Sequence, residues 1–215
     1  MEERLLKHVD VLITRYPQLE ACKEDIINAY EILENAYAND RKVLVCGNGG
    51  SASDSEHIVG ELMKEFKLKR KVYADQAEAM KQIDSEMGAT LAENLQGALP
   101  AICLTGHSSL TTAFMNDANA DLVFAQQVNG YGKANDVFLG ISTSGNSNNV
   151  CYAAITAKSK GLKVIGLTGA KESKMTKLGD CCIRVPETET YKIQELHLPV
   201  YHCLCLMLED HFFGV

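Results

Sequence analysis

The chain has 215 residues, 46% apolar and 23% charged, enough to bury one sizeable core and with no compositional sign of disorder. A formal net charge of −7 argues against a general nucleic-acid or anionic-membrane surface, while leaving room for a local phosphate site built from backbone amides and hydroxyls. No run approaches the roughly 18 apolar residues of a membrane span, and the charged, amphipathic start MEERLLKHVDVLITRYPQLE is unlike a signal peptide, so a soluble, cytoplasmic protein with no membrane partner is expected.

Residues 2–16 and 20–39 read as two helices interrupted at Pro17, the second with Ile26, Ile27, Tyr30, Leu33 and Tyr37 at helical spacing. The apolar run Val43-Leu44-Val45-Cys46 is long enough for a buried strand and too short for a buried helix. Gly47-Asn48-Gly49-Gly50 then breaks the chain, and Ser51, Ser53 and Asp54 are all helix N-cap types. The helix that follows, to about Phe66, carries His57 and Glu61 four residues apart on one face. Strand, glycine loop and helix in this order suit an anion held by loop amides, with acid–base or metal chemistry about two turns further on. A tight connection without a ligand fits the same residues.

Residues 67–99 open with a basic cluster, Lys67, Lys69, Arg70 and Lys71, and continue as a polar, Ala- and Met-containing helical pattern punctuated by Gly88 and Gly97. This reads as a helical insertion, either solvated or acting as a lid or oligomer contact, its basic residues facing water or drawing in an anionic substrate. Residues 101–104 form the second strand, ending in Thr105-Gly106-His107-Ser108-Ser109, with helices from about Leu110 to Asp117 and over 123–128. The third strand, 136–141, runs into Ser142-Thr143-Ser144-Gly145-Asn146-Ser147 and a helix over 148–160. A fourth strand at 163–168, a short helix at 173–178 and a fifth strand at 182–185, stopped by Pro186, precede a last helix over about 190–213. Strands alternating with helices through short polar turns predict an α/β fold with one parallel sheet covered on both faces, its ligands beyond the carboxyl ends of the strands.

The eight cysteines include no CxxC pair and sit in apolar or small-residue surroundings, so they read as core thiols of a reducing compartment. STSGNS is more informative. Ser142, Thr143, Ser144 and Ser147 offer four hydroxyls within six residues just before a helix N-terminus, where a plain N-cap turn would use one. A phosphate monoester needs such donors around three oxygens and gains from the helix dipole.

GNGGS followed by DxxHxxxEL, the STSGNS strand end, and IQELH ahead of a C-terminal histidine resemble the sugar isomerase (SIS) family, and within it the phosphoheptose isomerases. The resemblance covers about residues 20–66 and 100–213. It implies a flavodoxin-like three-layer sandwich on a five-stranded parallel sheet, one SIS domain over 1–215 with an N-terminal helical segment at 1–40 and the insertion at 67–99. It also implies a homotetramer with active sites at subunit boundaries, converting sedoheptulose 7-phosphate to D-glycero-D-manno-heptose 7-phosphate through an enediol(ate). Carried over by motif, Ser51, Ser142, Thr143, Ser144 and Ser147 become the phosphate cradle, with Gly49 and Gly50 beside them. Asn48 and Asp117 would touch sugar hydroxyls, Gln194 would also lie at the substrate, and Glu61 and His202 would be the catalytic acid–base pair. Some members bind zinc through positions matching His57, Glu61, Gln194 and His202, and all four types are present here, so one Zn2+ per active site is implied.

The chemistry asks for such a pair, because one group must take a carbon-bound proton while another protonates or polarises the carbonyl oxygen, a task a metal also performs. Gln194 and His202 are eight residues apart, about 12 Å along a continuous helix, so ligands from two chains are expected unless Pro199 kinks it. On this view inactive Glu61→Gln and His202→Ala protomers would complement each other in mixed oligomers. His197 reads as a structural or supporting histidine, His8 and His211 as unremarkable, His107 as near substrate without an assigned role, and Leu204, Cys205, Leu208 and Phe212 as helix-bundle core. The alternative is a non-catalytic SIS protein, binding a sugar phosphate as a regulator or a partner protein as a replication-initiation-associated factor does. The full set His57, Glu61, Gln194 and His202 speaks for the isomerase. The insertion and the Thr105–Ser109 strand end depart from the family pattern close to where a sugar would sit.

Overall fold

In the computed structural model, which describes residues 2–214, the five apolar runs become β1 (Val43–Cys46), β2 (Ala101–Cys103), β3 (Val137–Ile141), β4 (Lys163–Thr168) and β5 (Cys181–Arg184). They pair in parallel in the order β2-β1-β3-β4-β5. The chain leaves β1 towards β2 and then crosses back to β3, so the winding reverses between β1 and β3. A crevice opens at their carboxyl ends, where ligands of such sheets bind.

Ten helices cover the sheet or extend from it: α1 (Glu3–Arg15), α2 (Lys23–Ala38), α3 (Gly50–Met63), α4 (Ala74–Ile83), α5 (Ser85–Asn94), α6 (Ser108–Asp117), α7 (Val123–Tyr131), α8 (Asn148–Ser159), α9 (Lys174–Leu178) and α10 (Thr190–Phe213). A 3-10 segment, Pro17–Cys22, takes up the break at Pro17. Side chains alternate across the sheet as strand geometry requires. Val43, Val45, Val137, Leu139 and Ile141 pack with α1, α2, α3 and α10, whereas Leu44, Cys46, Phe138 and Val164 pack with α7, α8 and α9. Each of these fully covered side chains contributes about 1.5–3 kcal/mol, and a one-residue slip would exchange the two faces. All eight cysteines are free, and six are buried. No helix among the described residues is long and apolar enough to cross a membrane.

The region after α3 departs from the expected solvated basic patch. Lys67, Lys69 and Lys71 are exposed, but Arg70 is buried. Its guanidinium donates to the carbonyls of Leu62 (2.8 Å) and Glu61 (2.9 Å) and to the Glu209 carboxylate (2.8 Å). Glu209 on α10 also accepts the N–H groups of Phe66, Lys67 and Leu68. Burial alone would raise its pKa, but these donors hold it below the ordinary carboxylate value. By taking the last carbonyls of α3, Arg70 stops the helix at Met63 rather than Phe66. The segment beyond it is an α4–α5 hairpin, with the Asp84 carboxylate capping α5 and a stem closed by Gly97 N–H donating to Arg70 C=O.

Candidate active site

Both glycine- and serine-rich connections open at the β1/β3 crevice. α3 starts after Gly49 and α8 after Ser147, and neither helix is capped by its own N-cap side chain. Ser51, Ser53 and Asp54 therefore lie inside α3 and do not cap it. Two N-terminal dipoles face the same space, which favours an anion there. The Asn48 and Asn149 side-chain amides bond each other reciprocally at 2.9 and 3.0 Å, tying the two connections together. Ser142 is buried with its Oγ 3.0 Å from Ser147 Oγ, and Ser144 Oγ accepts from Asn146 N–H. Gly145 turns this loop at φ +64, where a Cβ would also lie 2.1 Å from Ser173 Oγ. Thr143, Ser144, Asn146 and Gly169 line an adjoining cavity of about 200 Å³ that Lys171 and Thr188 complete.

Further along α3, His57 Nε2 lies 3.1 Å from Glu61 Oε1 and 3.5 Å from His202 Nε2. The Lys64 ammonium donates to the other Glu61 oxygen at 3.4 Å. Burial, and then the charge of His57, lowers the pKa of His202, which keeps its ring neutral at pH 7. α10 runs alongside α3 in the same direction. Gln194 packs on Gly50, where a Cβ would meet its Nε2 at 2.6 Å; Tyr201 and His202 reach His57; Glu209 meets the segment after α3.

The structure thus brings His57, Glu61 and His202 together and leaves Gln194 at the glycine loop. Pro199 does not interrupt α10. Asp117 is exposed at the end of α6 and accepts from the Asn116 amide. Tetrahedral zinc with ligand bonds of about 2.0–2.1 Å spaces its ligand atoms roughly 3.3 Å apart, close to the two distances around His57. Among the described residues, however, no three His, Cys, Asp or Glu side chains close around one ion. One chain carries suitable donor chemistry but only part of a metal site.

Two partners of this site are not marked by any motif. The Tyr201 hydroxyl touches both Asp54 and His57, and Asn149 answers Asn48. Asp54 itself was visible in the DxxHxxxE pattern, one helical turn before His57. His107 packs against the Tyr131 ring with a buried, unbonded Nε2, and His197 lies wholly in the core.

The SIS domain family model matches residues 8–85 and 79–169 of the chain. A phosphoheptose isomerase from a Nitratiruptor species is 36% identical over 212 residues, spanning 99% of this chain and 98% of that protein. The structure of a phosphoheptose isomerase from Neisseria gonorrhoeae superposes with a TM-score of 0.73 at 32% identity, over 97% of this chain and 98% of that one. A phosphoheptose isomerase from Francisella tularensis gives 0.75 at 29% identity, over 97% of each chain.

Proposed function

This chain belongs to the SIS domain family, and on that footing we propose that its crevice interconverts sedoheptulose 7-phosphate and D-glycero-D-manno-heptose 7-phosphate. It is a phosphosugar isomerase, a class in keeping with a reducing, cytoplasmic setting. The observation that carries the assignment is the meeting of Glu61 and His202 at His57, on the helix whose N-terminus opens into the hydroxyl cradle.

Ser51, Ser142, Thr143, Ser144 and Ser147 hold the phosphate with the amides of Gly49, Gly50 and the two helix N-termini. Ser51 and Glu61 are ten residues apart, about 15 Å along α3, and side chains lean back towards the helix N-terminus. An extended seven-carbon 7-phosphate measures about 10 Å from phosphorus to C1 at ordinary bond lengths, the same order as this separation. Asn48 and Asp117 would hold sugar hydroxyls along the way.

The Glu61 carboxylate takes the proton from C1 as the C1–C2 double bond forms and, after exchanging it with solvent, gives a proton to C2. His202, kept neutral by burial, hydrogen-bonds the oxygen that changes between carbonyl and hydroxyl. His57 and Glu61 would be the first zinc ligands, with His202 and a Gln194 from a second subunit completing a set that one chain does not close by itself, and zinc when bound would polarise the carbonyl oxygen. A homotetramer with shared sites suits the open apolar face beside His202, where Val11 (58% exposed) and Leu198 (41% exposed) flank Pro199 and Leu206.

Proton NMR of sedoheptulose 7-phosphate with the protein in deuterated water tests this reading, before and after chelation. An aldoheptose 7-phosphate carrying deuterium at C2 is the expected product. Bound ketose without turnover, or no binding at all, would overturn it.

A further inference from the structure

Asp54, Tyr201 and His57 form a hydrogen-bonded line that proton transfer to the sugar does not itself use. The Tyr201 hydroxyl lies 3.2 Å from Asp54 Oδ1 and 3.0 Å from His57 Nδ1. The tyrosine is 1% exposed, so water does not compete for that hydroxyl. A phenol has one proton to give, and an ionised carboxylate only accepts. Tyr201 therefore donates to Asp54 and accepts from His57 Nδ1–H.

That direction has a consequence at the other end of the ring. A neutral imidazole protonated on Nδ1 presents a lone pair on Nε2. His57 Nε2 is the atom that faces Glu61 Oε1 at 3.1 Å and His202 Nε2 at 3.5 Å. A carboxylate oxygen is likewise an acceptor, so without a cation a proton on Nε2 makes this contact, and a bound cation would take that proton's place between the two lone pairs. We propose that Tyr201, backed by Asp54, is the positioning residue that fixes His57 in its Nδ1–H form and aims Nε2, beside Glu61, at a divalent cation of the zinc type. The cation half rests on the zinc site proposed for this crevice; the tautomer half rests on the hydrogen-bond line alone. Outer partners of this kind orient metal-binding histidines, and their loss costs about 10–100-fold in metal affinity.

The test uses the full-length protein labelled with 15N-histidine. In the metal-free state, long-range proton–nitrogen spectra of the wild type should show His57 protonated at Nδ1. Tyr201→Phe keeps the buried ring and removes only the hydroxyl, so His57 should shift towards the Nε2–H form. Zinc affinity, read by competition with a chromophoric chelator, should fall about 10–100-fold, with the KM for the sugar phosphate unchanged. Asp54→Ala provides a second route: the phenol, without its acceptor, turns its proton to Nδ1 and drives His57 to the Nε2–H form. A metal-free wild type whose His57 carries no proton on Nδ1, or unchanged tautomer and zinc affinity in folded Tyr201→Phe, would overturn the proposal. A wild type that binds no zinc would overturn the metal site and the cation half, while the tautomer spectra still decide the role of Tyr201.

Discussion

His197 should make the fold sensitive to mild acid. It lies on the core side of α10, 0% exposed, with neither ring nitrogen hydrogen-bonded. Burial pushes its pKa down to about 4; the Thr168 backbone pulls weakly the other way without bonding geometry. In the unfolded chain the value returns to about 6.5. A folded pKa below the unfolded one means that the unfolded chain binds more protons between those two values, so stability falls as the pH drops from about 6.5 towards 4. The linkage amounts to roughly 3 kcal/mol over the whole window, and roughly 2 kcal/mol between pH 7 and pH 5. His197→Leu replaces the ring with an apolar side chain that does not titrate. Urea unfolding at fixed protein concentration, because assembly raises apparent stability, should show the wild type losing roughly 2 kcal/mol relative to the variant from pH 7 to pH 5. A wild-type-to-variant difference that stays constant across that range would refute the argument, since it would require His197 to titrate alike in both states.

Arg70→Met leaves the Glu209 carboxylate buried without its cation and frees the last carbonyls of α3; urea unfolding should show a loss of about 3–5 kcal/mol, and a loss within about 0.5 kcal/mol would mean the pair is solvated. Gly145→Ala forces a left-handed residue, at about 1–2 kcal/mol, against Ser173; calorimetry should show phosphosugar affinity falling by on the order of tenfold while folding is retained. Mixed oligomers of Glu61→Gln and Gln194→Ala protomers should regain turnover, because one chain keeps His202 beside Glu61 but leaves Gln194 apart; verified mixed oligomers without recovery would mean that Gln194 is not supplied across a subunit boundary.

The sheet was legible because strands buried on both faces carry continuous apolar runs, which is what parallel sheets demand. Val43–Cys46 and Thr190–Phe213 have the bounds their residues suggest. The cradle was legible for a similar reason: four hydroxyls in six residues exceed what a turn needs. What stayed hidden depends on contacts across the chain. In KLKRK nothing local separates Arg70 from its neighbours, yet it alone turns inward, because Glu209 waits 139 residues away. Asp54 has N-cap chemistry, but the glycine loop starts the helix earlier and leaves its carboxylate facing Tyr201.

The parallel run of α3 and α10 explains why these hidden contacts matter to the chemistry. The two helices meet at Gly50 and Gln194, again at His57 and His202, and finally through Arg70 and Glu209. The first meeting lies at the phosphate end and the second at the reacting carbons. The third is a buried clamp whose guanidinium holds the carbonyl of Glu61 itself. The α4–α5 hairpin is tied by its stem to the backbone of Arg70 rather than to the hydroxyl cradle. The hairpin is therefore joined to the chain beneath Glu61, so its mechanical connection runs to that residue and not to the hydroxyl cradle.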